Sequence, residues 1–216
     1  MPEKPRSEPA ALALVAAAAV AGSAHLLPHR PIPIAAVLAV VLSSLFTRAP
    51  LRDLGFRRPE RPWRLLLFAI ALGVGLNAFG RTFIWPVIER IFGPRDLSYL
   101  GPIKGNLDVL LGLMPLVWLS AALCEEIIYR GFVQQRLERA FGRGKLGNAL
   151  AILLASVAFG LNHAVQGTAG MVITGFVATV FGAIFILTRH NLLLLVLAHG
   201  IWDTFSLTLR YLDSPW

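Results

Sequence analysis

Seven stretches of the chain are apolar with few interruptions: roughly residues 10–28, 31–47, 63–84, 107–130, 147–165, 170–188 and 191–209. A helix needs about 20 apolar residues to cross the hydrocarbon core, with about 17 to 25 tolerated. Runs such as "VLLGLMPLVWLSAALC" and "LGNALAILLASVAFGL" are apolar all round, whereas a helix on a water-soluble domain keeps one polar face. The pattern predicts an all-α fold, a polytopic transmembrane helix bundle of about seven spans. The second stretch is short and the first is Ala-rich. Lys4 and Arg6 precede that first stretch, and "AGSA" before His25 resembles a small-residue cleavage site, so a removed signal peptide is the competing reading. The uninterrupted run to Leu27 favours a retained helix, and cleavage leaves six spans in the same order.

The longest interval without a predicted span is 81–106. It holds "FIWPVIERIFG", which has the mixed polarity of a short interfacial helix, followed by Pro94, Gly101, Pro102 and Gly105 as turn punctuation. It is expected to cover one end of the bundle. Trp63 and Trp85 bracket the third span as interfacial aromatics do. The interval also divides the chain into less informative N-terminal helices with their connecting segment over 1–106 and a motif-bearing core over 107–216. Pro115, Gly160 and Gly182 fall inside spans, where they permit bends or close packing.

Composition agrees with lipid as the main solvent. Of the 216 residues 56% are hydrophobic and 15% are charged, against about 25% charged in soluble domains. The net charge of +8 is a topology signal rather than a nucleic-acid footprint, because no basic tract alternates with aromatics in a soluble module. Six arginines between 48 and 64 fill a short gap between spans, where they face anionic lipid. With seven spans and the N-terminus inside, fourteen of the twenty Lys and Arg lie inside. That bias predicts a multi-pass protein of the cell membrane with a cytoplasmic N-terminus. The single cysteine, Cys124, excludes an intramolecular disulfide and any Cys-based metal site, and reads as a small buried hydrophobe.

Against this apolar background the ionisable residues stand out. A carboxylate in a membrane helix costs on the order of 2.5 to 3.5 kcal/mol on insertion scales and is a functional-site hypothesis by default. Glu125 and Glu126 are adjacent, so on an α-helix they point about 100° apart and serve different roles. Glu126 and Arg130 are four apart and can pair. Glu125 is then the freer carboxylate, suited to accept a proton from water. His163 closes the fifth stretch, with Phe159 four residues earlier on the same face. If the fourth helix runs to Phe141 and the fifth starts near Leu146 or Gly147, Glu125 and His163 both lie about 24 Å from their connection. They therefore share a height in an antiparallel pair. In the last span His199 and Asp203 are four apart, and Asp203 can orient the imidazole. The set suits polarising a water and stabilising an oxyanion, as peptide hydrolysis requires. Zinc ligation by His163, His199 and a carboxylate, Glu125 for instance, is chemically open, but the HExxH spacing is absent. No serine lies in a GxSxG context.

The three clusters resemble a known family. "EEIIYRG" matches an EExxxR signature, "FGLNH" an FxxxH signature and "HGIWD" an HxxxN/D signature of the CAAX-protease and bacteriocin-processing (CPBP) intramembrane proteases. The ordered trio covers roughly residues 120–205. The resemblance implies a helical bundle around a cavity in the membrane, with Glu125 activating the attacking water and His163 assisting. It implies that His199 and Asp203 serve the oxyanion side, and that Glu126, Arg130 and Phe159 support them. Asp203 stands where the family has Asn or Asp, and an ionised carboxylate cannot donate to an oxyanion, which favours an orienting role. The resemblance leaves open a divalent metal such as zinc or none, prenyl dependence and oligomeric state. The expected substrate is a membrane-associated protein or peptide in a lipid bilayer. Two other classes use the same residues differently: a proton-coupled transporter, for which no inverted repeat is evident, and a non-catalytic scaffold or immunity protein held together by interhelical polar contacts.

Overall fold

The computed structural model describes residues 54–213, so the first two apolar stretches and the question of signal-peptide cleavage lie outside the described residues. Among the described residues all regular structure is helical, and five helices are long and apolar enough to cross a membrane. The protein is a multi-pass helical membrane protein.

The first described span is one rod over Pro62–Phe92. It consists of α1 (Pro62–Phe79), a π-helical turn (Gly80–Ile84) and α2 (Trp85–Phe92). Pro62 opens it where a missing backbone N–H costs nothing. The wider turn sits just ahead of Pro86, whose ring would otherwise meet the carbonyl of Thr82. The segment around "WPVIERIF" therefore continues the helix instead of forming a separate interfacial one. Trp63 is exposed, as an interfacial residue would be, but Trp85 is only 2% exposed. The π turn swings the Trp85 ring inward, against Phe176 and Trp202.

Residues 93–106, with a 3₁₀ turn at Ser98–Ile103, form the cap over one end of the bundle. The cap is tied down by Asp96 N–H donating to the Gln166 carbonyl and Gly105 N–H to the Tyr211 carbonyl, both at 3.0 Å. The second rod runs Leu107–Phe141. It starts at α3 (Leu107–Leu116), where the Asn106 side chain caps Val109 N–H, and finishes as α4 (Gln135–Phe141). Between them the helix is π-helical over Val117–Glu125 and Ile127–Gln134. Gly142, at φ +83°, ends it in a conformation that favours glycine. Then come α5 (Lys145–Asn162), α6 (Gly167–Leu187) and α7 (Leu192–Tyr211), the last capped by Asn191. The end of the fourth predicted helix at Phe141 and the short link to the fifth are as the pattern indicated.

Small residues let these helices approach. A Cβ on Gly160 of α5 would fall 2.5 Å from the Met171 carbonyl of α6, and one on Gly200 of α7 would strike the Trp118 ring. The main core gathers Leu72, Ile128, Tyr129, Phe159, Phe181 and Leu195, while Ile103, Leu110 and Leu207 form a smaller cluster beneath the cap. Leu67, Phe83, Leu119, Leu153 and Leu187 stand exposed on the outer surface, where lipid is their solvent.

Candidate active site

Four of the buried polar residues of the second rod recur every four positions: Glu126, Arg130, Gln134 and Glu138. An i, i+4 spacing keeps them in one stripe, which faces the parallel helix α6. Two side chains of the stripe donate to carbonyls one helical step apart on α6, Arg130 Nη2 to Ala178 at 3.3 Å and Gln134 Nε2 to Gly182 at 3.1 Å. Arg130 Nη1 donates to Glu126 Oε1 at 3.1 Å, so the predicted pair is present and buried on both sides. The Arg130 guanidinium also lies over Phe159 at 4.9 Å and Phe181 at 5.6 Å. Such cation–π contacts contribute most when desolvated, and they give Phe159 a definite place beneath the arginine.

Glu126 does more than hold Arg130. His199 Nδ1 lies 2.8 Å from the same Oε1 atom, so a carboxylate acceptor fixes the proton on Nδ1 and leaves Nε2 directed elsewhere. That Nε2 atom stands 3.5 Å from Asp203 Oδ2 and 4.0 Å from Glu125 Oε2. Asp203 does contact the ring, as its spacing indicated, but the closer acid is Glu126, 73 residues away in sequence, at the other nitrogen. Asp203 and Glu125 face the opposite edge of the ring. Edge-on contacts from Phe159 and Phe181 hold the ring plane.

His163 sits just past the last residue of α5. Its Nδ1 is 2.9 Å from the Phe159 carbonyl, one of the carbonyls a helix end leaves without an intrahelical partner. A carbonyl only accepts, so Nδ1 carries the proton and Nε2 of the neutral ring is an acceptor. Phe159 stacks on the imidazole at 4.7 Å between ring centres.

A cavity of about 520 Å³ opens among these groups. Glu125, Glu126, Arg130, Phe159, His163, His199 and Asp203 all line it. Glu125 and His163 share this cavity, as their heights suggested, although the histidine next to Glu125 is His199. Glu125 Oε2 and Glu126 Oε2 are buried without a hydrogen-bond partner, which native interiors rarely tolerate outside a working site. Trp118, packed against Gly200, ties the second rod to α7 by donating Nε1–H to Thr204 Oγ1 at 3.1 Å.

Toward the cap the lining changes to Arg81, Arg95, Tyr99, Gln166 and Arg210. Sequence reasoning assigned these arginines only to the charge count. The one local signal was Asn77, polar within an apolar span and four residues before Arg81. Asn77 accepts from Arg81 Nε at 2.7 Å and donates to Ser206 Oγ at 2.6 Å. Cys124 is buried with a free thiol, as expected.

Among the described residues no three His, Cys, Asp or Glu side chains are arranged to hold an ion. In the set Glu125, His163 and His199 both Nδ1 atoms are engaged by protein acceptors, which leaves each Nε2 as the nitrogen available to a ligand. The chemistry of these side chains is that of an unpartnered carboxylate, two oriented imidazoles and a second carboxylate on the wall of one cavity.

Compared with known families, residues 107–205 match the model described as type II CAAX prenyl endopeptidase Rce1-like. No curated protein and no solved structure matches the chain.

Proposed function

We propose, from the match of residues 107–205 to the Rce1-like type II CAAX prenyl endopeptidase model, an intramembrane endopeptidase whose attacking water is activated by Glu125. Its substrate is a membrane-associated protein or peptide. The observation that carries the reading is the asymmetry of two adjacent acids. Glu126 is tied to Arg130 and His199, whereas Glu125 Oε2 is buried on the cavity wall without a hydrogen-bond partner.

In this mechanism Glu125 removes a proton from water as the oxygen attacks the scissile carbonyl carbon. His163 Nε2, an acceptor by virtue of the Nδ1 bond to Phe159, holds the second water proton and aims the nucleophile. The carbonyl oxygen becomes an oxyanion, and a proton on His199 Nε2 donates to it, with Glu126 supporting the charge on the ring from the other side. Asp203, an acceptor when ionised, steadies that Nε2–H between substrates. The C–N bond then breaks and the departing amine takes the proton stored on Glu125. Expulsion of bulk water by Phe159, Phe181 and Trp202, which line the cavity, strengthens each of these interactions.

The test is cleavage of lipid-anchored peptides by the protein reconstituted in vesicles. Glu125→Gln keeps the shape of the side chain and removes the base, and it should lower kcat by about 10² to 10⁴ while the folded protein accumulates normally. Undiminished cleavage by that variant overturns the mechanism.

A further inference from the structure

The cavity reaches only one end of the bundle. On α7 its lining begins at His199 and continues through Asp203 and Leu207 to Arg210. At its polar rim Tyr99 of the cap and Arg210 are both exposed, so the cavity meets the surface there. The opposite end is filled. Of the first seven residues of α7, about 10 Å of helix rise, Leu192, Leu194, Leu195 and Ala198 are 1% exposed or less, and none lines the cavity. Phe185 and Leu54 pack with them. Leu192 N–H donates to the Gly55 carbonyl at 2.9 Å, and a Cβ on Gly55 would fall 2.5 Å from the His190 carbonyl. Two backbone segments therefore close over this floor, and Glu138, bonded to Gln134 and His190, is satisfied within it. Glu125 is about 27 Å of helix rise from Leu107 and about 24 Å from Phe141, so depth alone favours neither side. The packed floor makes the choice.

The two ends also differ in charge. Among the described residues the filled end carries nine cations: Arg57, Arg58, Arg61, Arg64, Arg136, Arg139, Arg143, Lys145 and Arg189. The cap end carries five: Arg81, Arg90, Arg95, Lys104 and Arg210. Three of those five line the cavity, where they serve its polar mouth. Basic residues near span ends decide orientation, and the richer end stays in the cytoplasm. This count does not depend on the first two apolar stretches of the chain.

We propose that the filled, arginine-rich end faces the cytoplasm and that the cavity is entered from the non-cytoplasmic side of the membrane. The substrate class follows from that direction. It is a membrane-associated polypeptide whose scissile segment has already been translocated, the exported part of a lipid-anchored or membrane-spanning chain, and not a protein held at the cytoplasmic leaflet. Water for hydrolysis enters by the same mouth, past Arg81, Arg95 and Arg210. The floor keeps the polar centre of the bundle sealed from the cytoplasm, as a polar cavity at membrane depth requires if it is not to become a pore. The substrate assignment rests on the endopeptidase reading, whereas the orientation does not.

The experiment uses the full chain with two readouts. The first is labelling of intact cells by a membrane-impermeant maleimide. The native Cys124 is buried, so the wild type is the unlabelled control, and single cysteines are introduced by Ser98→Cys on the cap and Glu60→Cys at the filled end, both exposed positions outside the cavity lining. Ser98→Cys should react in intact cells, and Glu60→Cys only after the membrane is permeabilised. The reverse pattern, or labelling of both variants in intact cells, overturns the proposal and leaves the hydrolytic reading intact. The second readout is cleavage of a lipid-anchored peptide bearing a charged fluorophore, added to sealed right-side-out and inverted membrane vesicles. The charged probe does not cross hydrocarbon, so right-side-out vesicles should cleave it at least about tenfold faster than inverted ones. Equal cleavage in both orientations, or faster cleavage in inverted vesicles, overturns the proposal. The expected labelling with no cleavage in either orientation supports the direction of entry and counts against the hydrolytic reading.

Discussion

The second rod carries two carboxylate–histidine pairs on one buried stripe, twelve positions apart, and they differ in everything but geometry. Glu126 meets His199 Nδ1 at 2.8 Å, and Glu138 meets His190 Nε2 at 2.7 Å. Both acids are essentially inaccessible. The Glu138 pair is closed on itself: Oε1 accepts from Gln134, Oε2 faces His190, and neither residue lines the cavity. Around Glu126 the same pairing leaves Glu126 Oε2 and Glu125 Oε2 without hydrogen-bond partners and the far edge of the imidazole turned to a cavity. A buried acid–base pair is therefore not in itself a sign of chemistry. Incomplete satisfaction beside a cavity is the distinguishing feature, because a fully satisfied pair has nothing left to offer a substrate.

The contrast can be broken most severely at Glu126. Glu126→Ala removes the partner of both Arg130 and His199 and leaves an arginine buried among aromatic rings. The expected cost is about 3 to 5 kcal/mol, read as a large fall in thermal midpoint in detergent together with loss of cleavage. His199→Gln should separate structure from chemistry. Removal of one oxyanion donor lowers kcat by about 10² to 10³, and the thermal midpoint should move far less than in Glu126→Ala. At the closed pair the order reverses. Glu138→Gln should cost about 1 to 3 kcal/mol of stability while the folded fraction retains its kcat. His190→Gln, on a partly exposed ring, should have the smallest effect on both readouts. A His190 variant that loses kcat as His199→Gln does would abolish the distinction drawn here.

Much of this arrangement was legible along the chain because lipid imposes long, featureless apolar runs against which each ionisable residue is conspicuous. The five described spans, the hairpin ending at Phe141 and the Glu126–Arg130 pair follow from run length and from i, i+4 spacing. What spacing cannot report is rotation between distant helices. His199 appeared paired with Asp203 because the two are four apart, yet the ring's closest acid is Glu126. The rim escaped notice for the same reason. Arg81, Arg95 and Arg210 are unremarkable singly, at the ends of separate segments, and only the packing of α1, the cap and α7 makes them one surface. Trp85 was misplaced because no residue pattern announces a change of helical hydrogen-bond register, and the π turn at Gly80–Ile84 alters which way everything after it points.

The longer π-helical stretches over Val117–Glu125 and Ile127–Gln134 carry a consequence for how the gene can change. A π turn accommodates one residue more than the α turn it replaces, so loss of a residue there can be absorbed by reverting to α while both flanking helices stay where they are. Deletion of Ser120 should therefore yield a chain that inserts and remains as helical as its parent by circular dichroism. Only the residues between the deletion and the point where the register is recovered would turn, by about one residue's angle, roughly 100°; Glu125 closes that segment, and cleavage should be lost. In this segment tolerance to a lost codon and retention of the site are separable properties.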